Sequence, residues 1–78
     1  MFMVKLNGES SSTTAKTVRE LVAEYTGRSI TDNGADTEGR RLGIAVAKNG
    51  TVVPRAQWHQ EPVEHSDTFE IISATQGG

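Results

Sequence analysis

Apolar positions recur along this chain with two different periods, and the switch between them marks out its elements. Phe2, Val4 and Leu6 alternate with Met3, Lys5 and Asn7, the two-residue period of a strand with one buried face. Asn7-Gly8 then predicts a tight hairpin turn into Ser10–Thr14. That second strand carries no large apolar side chain, so it is expected to be a weak edge strand. Thr17 followed by Glu20 forms a capping box, and Val18, Leu21, Val22 and Tyr25 fall at i, i+3, i+4 and i+7. A three-turn helix with one apolar stripe follows, closed at Gly27 by the left-handed conformation glycine favours.

Between residues 28 and 41 periodicity disappears. Ile30 is the one large apolar residue there, accompanied by Gly34, Gly39 and mixed charges. A loop of about a dozen residues is long for a compact domain, and this one is expected to be disordered. Alternation returns with Leu42, Ile44 and Val46 against Gly43, Ala45 and Ala47, a central strand with one large-residue and one small-residue face. Asn49-Gly50 predicts a second hairpin, returning through Thr51–Val53 and stopped by Pro54, which cannot donate to a ladder. Arg55 to Trp58 reads as one short helical turn. Trp58 is expected to cover an end of the core with its indole N–H on a polar partner. After a Ser66-Asp67 turn, the last strand runs over Thr68–Ser73, with Phe69 and Ile71 inward and Glu70 and Ile72 outward.

One helix lying across a mixed five-stranded sheet, with the first and last strands adjacent and parallel, follows from this order. It is an α+β fold of the ubiquitin-like β-grasp type, expected to occupy residues 1–73 and to leave 74–78 as a flexible tail.

The chain has 78 residues, which suffices for one domain with little interior space for an enclosed active site. A net charge of −2 with scattered basic residues argues against a protein that neutralises nucleic-acid phosphates. Without cysteine there is no disulfide framework, thiolate metal site or thiol nucleophile. No basic leader precedes a long apolar run, and no stretch reaches bilayer-spanning length, so a cytoplasmic protein is expected, with no membrane partner. The catalytic inventory is thin. His59 and His65 lack ligand neighbours at metal spacing, and Gly34 and Gly39 belong to no phosphate-binding fingerprint. Asp32, Asp36 and Glu38 share the loop, where a mobile pair cannot hold the fixed separation that acid–base work needs. The chain is expected not to be an enzyme and to bind no metal or cofactor.

Candidate chemistry is concentrated at Gly77-Gly78. Glycine weakens strands and serves no packing purpose at an end, yet it gives a backbone thin enough to thread a narrow channel. At neutral pH the α-carboxyl of Gly78 is an anionic oxygen nucleophile, its ordinary pKa being about 3.3–3.7. From Ser73 to Gly78 an extended chain spans up to about 20 Å at roughly 3.3–3.6 Å per residue, enough to reach a buried centre in another molecule.

Several segments resemble a known family. Val4-Lys5-Leu6-Asn7-Gly8-Glu9, Thr17-Val18-Arg19-Glu20-Leu21 and Gly43-Ile44-Ala45-Val46-Ala47 with its Asn49-Gly50 turn are similar to the ThiS sulfur carriers of thiamine biosynthesis. So are Val52-Val53-Pro54-Arg55 followed by Trp58, and the ending Ala74-Thr75-Gln76-Gly77-Gly78. The resemblance covers nearly the whole chain, and its most specific parts are the Val-Val-Pro-Arg-x-x-Trp segment and the terminal glycines together. Two departures stand out: a longer loop at 28–41, and a second strand without the usual apolar residue.

The resemblance implies a protein cosubstrate. A ubiquitin-activating-like adenylating enzyme (ThiF) would use ATP to adenylate the Gly78 carboxylate. Sulfur from a cysteine desulfurase would then convert it to a C-terminal thiocarboxylate, and thiazole synthase (ThiG) would receive that sulfur. Gly77 and Gly78 would enter the partners' active sites, with Gln76, Thr75, Ala74, Ile72 and Arg55 as candidate partner contacts. The carrier alone is expected to be a monomer. Another β-grasp sulfur carrier, such as the small subunit of molybdopterin synthase, is the near alternative. A ubiquitin-like modifier shares the tail chemistry as far as the adenylate, whereas an interaction domain with an inert tail would not need Gly78 at all.

Overall fold

The computed structural model describes residues 1–31, 34, 37–39 and 43–73, the side chain of residue 73 excepted. Strand β1 (Phe2–Leu6) turns through Asn7-Gly8 into β2 (Glu9–Thr13), and the two pair antiparallel. Helix α1 (Val18–Thr26) follows, then β3 (Ile44–Lys48), β4 (Thr51–Val53), a 3₁₀ turn (Arg55–Gln57) and β5 (Thr68–Ser73). The sheet order is β2-β1-β5-β3-β4. β5 therefore lies at the centre, parallel to β1 and antiparallel to β3, the mixed five-stranded arrangement expected from the sequence.

Alternation holds at the described strand positions. Val4, Ile44, Val46, Val53, Phe69 and Ile71 face α1 and are buried with Val18, Leu21 and Val22. Trp58 is fully buried, and its indole N–H donates to the Val53 carbonyl at 2.9 Å. The helix starts as predicted, with the Thr17 hydroxyl accepting from the Glu20 amide at 3.3 Å. The Glu20 carboxylate, however, reaches the amide of Lys16, one residue earlier than in a reciprocal box. The next free amides, of Val18 and Arg19, donate to the carbonyls of Glu61 and Trp58 at 2.9 Å each. The segment before β5 thus completes the helix cap.

Three expectations give way to tertiary context. Tyr25, assigned to the apolar stripe, is 45% exposed. Beside Tyr25 the edge strand contributes Ser11, Ser12 and Thr13, which with Val4, Leu6, Leu21 and Glu24 line an open recess of about 190 Å³. The edge strand is also tied down more firmly than its composition suggested. Thr13 is buried, donates its hydroxyl to Glu24 at 2.6 Å and accepts from the Ala15 amide at 3.0 Å. In the loop, finally, Ile30 is buried in the core, and Ser29 accepts from the Thr37 amide at 3.0 Å. The expected disorder does not hold for these residues, because one buried aliphatic side chain anchors them. Leu42, read as the start of a strand, and Asp32 and Asp36 lie outside the described residues.

Candidate functional site

Ser73 is the last described residue, and it ends the strand at the centre of the sheet. At that end β5 is paired with β3, Ser73 lying opposite Ile44, whereas its pairing with β1 covers only Thr68 and Phe69. The candidate tail residues Ala74, Thr75, Gln76, Gly77 and Gly78 lie outside the described residues.

Side chains take over from backbone where the neighbouring strands turn away. In the parallel pair, the Lys5 amide donates to Asp67 and the Asn7 amide to Phe69, each at 2.9 Å. The next bond in that ladder would run from the Ile71 amide to the Asn7 carbonyl. Asn7 has turned to a φ of 52°, and its side-chain Oδ1 accepts the Ile71 amide instead, at 2.8 Å. Asn49, with a φ of 51°, does the same at the start of β5, its Oδ1 accepting the Thr68 amide at 2.9 Å. Its own amide donates to the Thr68 carbonyl at 2.7 Å, and its Nδ2 to Asp67 at 3.0 Å. Both hairpin asparagines thus act as clamps on the central strand as well as turn formers. The sequence marked them only as turn residues, although asparagine in place of glycine at both turns was a usable signal.

Lys48, at the end of β3, secures the approach to β5. Its ammonium lies 3.1 Å from Glu61, 3.6 Å from Asp67 and 3.9 Å from Glu64, and it donates to the Pro62 carbonyl at 2.9 Å. Burial alone would pull the Lys48 pKa down, but the Glu61 hydrogen bond and the charges of Asp67, Glu61 and Glu64 hold it above its ordinary value. Burial likewise pushes Asp67 up. Hydrogen bonds from Asn49 and the Glu64 amide, together with the Lys48 charge, outweigh it and leave the carboxyl below its ordinary value.

On the solvent face of the sheet, Ile72 is 59% exposed and Val52 67% exposed. Ala45 pairs with Ile72 and Ala47 with Val52, so the small residues of β3 separate the two aliphatic side chains on one apolar strip. Ile72 thus faces outward, as the alternation required. Arg55, the other described candidate contact, has internal partners: the carbonyls of Gly34 at 3.1 Å and Ile44 at 2.9 Å. Its guanidinium carbon also sits 5.3 Å from the centroid of the Trp58 ring. The histidines do not come together with these residues. His65 accepts from the Met3 amide at 3.2 Å, while Nδ1 of His59 is buried without a partner. Among the described residues no cluster of three or more His, Asp or Glu could hold a metal ion, and no helix is long and apolar enough to cross a membrane.

A central strand flanked by a parallel first strand and antiparallel third strand, under a single crossing helix, defines a ubiquitin-like β-grasp protein. Residues 4–78 match the model of the ThiS family, and the chain belongs to that family. No curated protein matches it significantly. Among solved structures, the crystal structure of the thiamine biosynthesis protein ThiS from Geobacter metallireducens is similar in fold, with a TM-score of 0.69. The two are 22% identical, and the match covers 99% of this chain and 100% of that one.

Proposed function

We propose that this chain is a sulfur carrier for thiazole formation in thiamine biosynthesis, a protein cosubstrate whose reacting group is the Gly78 carboxylate. A carboxylate oxygen is a poor leaving group, so activation comes first. The carboxylate attacks the α-phosphorus of ATP on an adenylating enzyme of the ubiquitin-activating type, and pyrophosphate leaves. The terminal sulfur of a persulfide, charged by a cysteine desulfurase, then attacks the acyl carbon and AMP leaves. Cleavage of the remaining S–S bond by a thiol, itself oxidised to a disulfide, leaves the thiocarboxylate. Thiazole synthase takes up that sulfur.

The observation that carries this reading is the extent of the family match, which runs to residue 78 and so includes Gly77 and Gly78. The exposed strip of Ile72, Ala45 and Val52 beside the end of β5 gives a partner an apolar surface to grip while the tail enters its active site. Intact-mass measurement tests the proposal. Incubated with the adenylating enzyme, ATP, a cysteine desulfurase and a thiol, the chain should gain the mass of one oxygen-to-sulfur exchange on its C-terminal fragment. Linkage of the chain to lysines would instead identify a modifier. An unchanged mass would reject both.

A further inference from the structure

Backbone hydrogen bonding along an antiparallel strand alternates between its two neighbours. The Asn49 amide faces β5, since it donates to Thr68. The same alternation turns the N–H and C=O of Ala45 toward Ile72, its register partner, and those of Ile44 toward the β4 side. β4 ends at Val53, which pairs with Val46, so the next residue to bond Ile44 would be residue 55. Pro54 and the 3₁₀ turn take the Arg55 backbone out of that ladder. The Arg55 side chain fills the place, Nη2 donating to the Ile44 carbonyl at 2.9 Å. Its other fork nitrogen holds Gly34, and its face lies over Trp58, itself fixed to Val53.

The Ile44 carbonyl and the Ala45 N–H belong to one planar trans peptide and point in opposite directions. Arg55 grips one side of that plane, and Ile72 lies on the other. We propose that Arg55 is a positioning residue. Through the Ile44–Ala45 peptide it fixes Ile72, the residue before the end of β5, and with it the direction in which the C-terminal residues leave the sheet. This inference rests on the sulfur-carrier reading. Arg55 then acts on the reaction from inside the carrier, by keeping the root of the tail in the geometry a narrow channel accepts. Loosening that root lowers the fraction of molecules competent to bind and raises the apparent dissociation constant in proportion.

Full-length Arg55→Met and Arg55→Lys variants test the proposal. Methionine keeps the aliphatic stem without donors; lysine keeps the charge without the planar fork. Two readouts are needed: residue-resolved amide exchange, and ATP–pyrophosphate exchange with the cognate adenylating enzyme. In both variants the Ala45 amide should exchange about tenfold faster relative to the Val22 amide of the buried helix face, as local rather than global opening requires. KM for the carrier should rise about five- to tenfold with kcat within about twofold, the signature of lost uniform binding. Equal acceleration of Ala45 and Val22 would overturn the proposal by showing a general loss of stability. Wild-type behaviour of Arg55→Lys would overturn it in favour of a direct charge contact with the partner, whereas an unchanged KM with a loosened Ala45 would overturn it by showing that the strand end does not govern binding. If the unaltered chain supports no pyrophosphate exchange, the carrier reading fails instead, and Ala45 exchange alone decides whether Arg55 governs the strand end.

Discussion

The side-chain oxygen of Asn7 accepts the backbone N–H of Ile71 at 2.8 Å, joining the first turn of the chain to its last strand. Asn7→Gly preserves the positive φ of that turn and deletes the acceptor. A buried-strand amide left without its partner costs about 1–2 kcal/mol, to which glycine adds some backbone entropy. Urea unfolding should show the midpoint fall at constant slope, and the Ile71 amide should exchange faster than its neighbours. An unchanged midpoint would mean that water substitutes for Asn7 at no cost.

Stability should depend on pH at both ends of the range through Lys48 and Asp67. The folded pKa of Asp67 is lowered from 3.8, so its contribution is present above that value and is lost as pH falls through the lower, folded one. The folded pKa of Lys48 is raised from 10.5, so its contribution is complete below that value and is lost as pH rises through the folded one. Denaturation at a series of pH values should give a plateau between these limits. In Lys48→Met the alkaline decline should shrink, since the titrating group is gone.

Filling the recess beneath β2 should stabilise the fold. Ser11 pairs with the buried Val4 and so shares its face of the sheet, beside the open volume of about 190 Å³. Ser11→Val adds apolar area against Val4 and Leu21 and raises strand propensity. The expected gain is about 0.5–1 kcal/mol, or a rise in Tm of a few degrees for a domain of this size. Differential scanning calorimetry measures it, and a lowered Tm would show that the recess cannot take the methyl groups.

Gly34 and Gly8 make a controlled pair. Both have positive φ, 79° and 86°, but a Cβ at Gly8 meets nothing within 4 Å, whereas one at Gly34 would lie 2.6 Å from the Arg55 Cβ and 2.7 Å from its carbonyl oxygen. Alanine at either position incurs the backbone strain of about 1–2 kcal/mol. Only Gly34→Ala must also move the loop away from Arg55, so it should be the more destabilising of the two in the same unfolding assay. Equal losses would argue that the loop yields freely.

Ile72→Thr separates docking from folding. The side chain is 59% exposed, and threonine keeps the β-branch, so stability should change by no more than about 0.5–1 kcal/mol. If the strip around Ile72 is gripped by the adenylating enzyme, KM for the carrier in pyrophosphate exchange should rise severalfold with little change in kcat. An unaltered KM would place the docking surface elsewhere.

Local pattern carried most of the architecture. Period-two alternation at Phe2–Leu6, Ile44–Lys48 and Thr68–Ser73, the Thr17 and Gly27 helix caps and two Asn-Gly turns located the elements because each of these signals acts within a few residues. The terminal glycines and the Val-Val-Pro-Arg-x-x-Trp segment were equally legible and pointed to the family that residues 4–78 match.

What the sequence could not express was which distant group completes each strand. Asn7 reaches Ile71, Asn49 reaches Thr68, and Arg55 reaches Ile44 across the break made by Pro54. Ile30 enters the core from a stretch without periodicity, while Tyr25, periodic and aromatic, stays half outside. Periodicity reports which face of its own element a side chain occupies. Whether another element stands opposite that face, and which orphaned backbone group lies within reach, is set only when segments far apart in the chain are brought together.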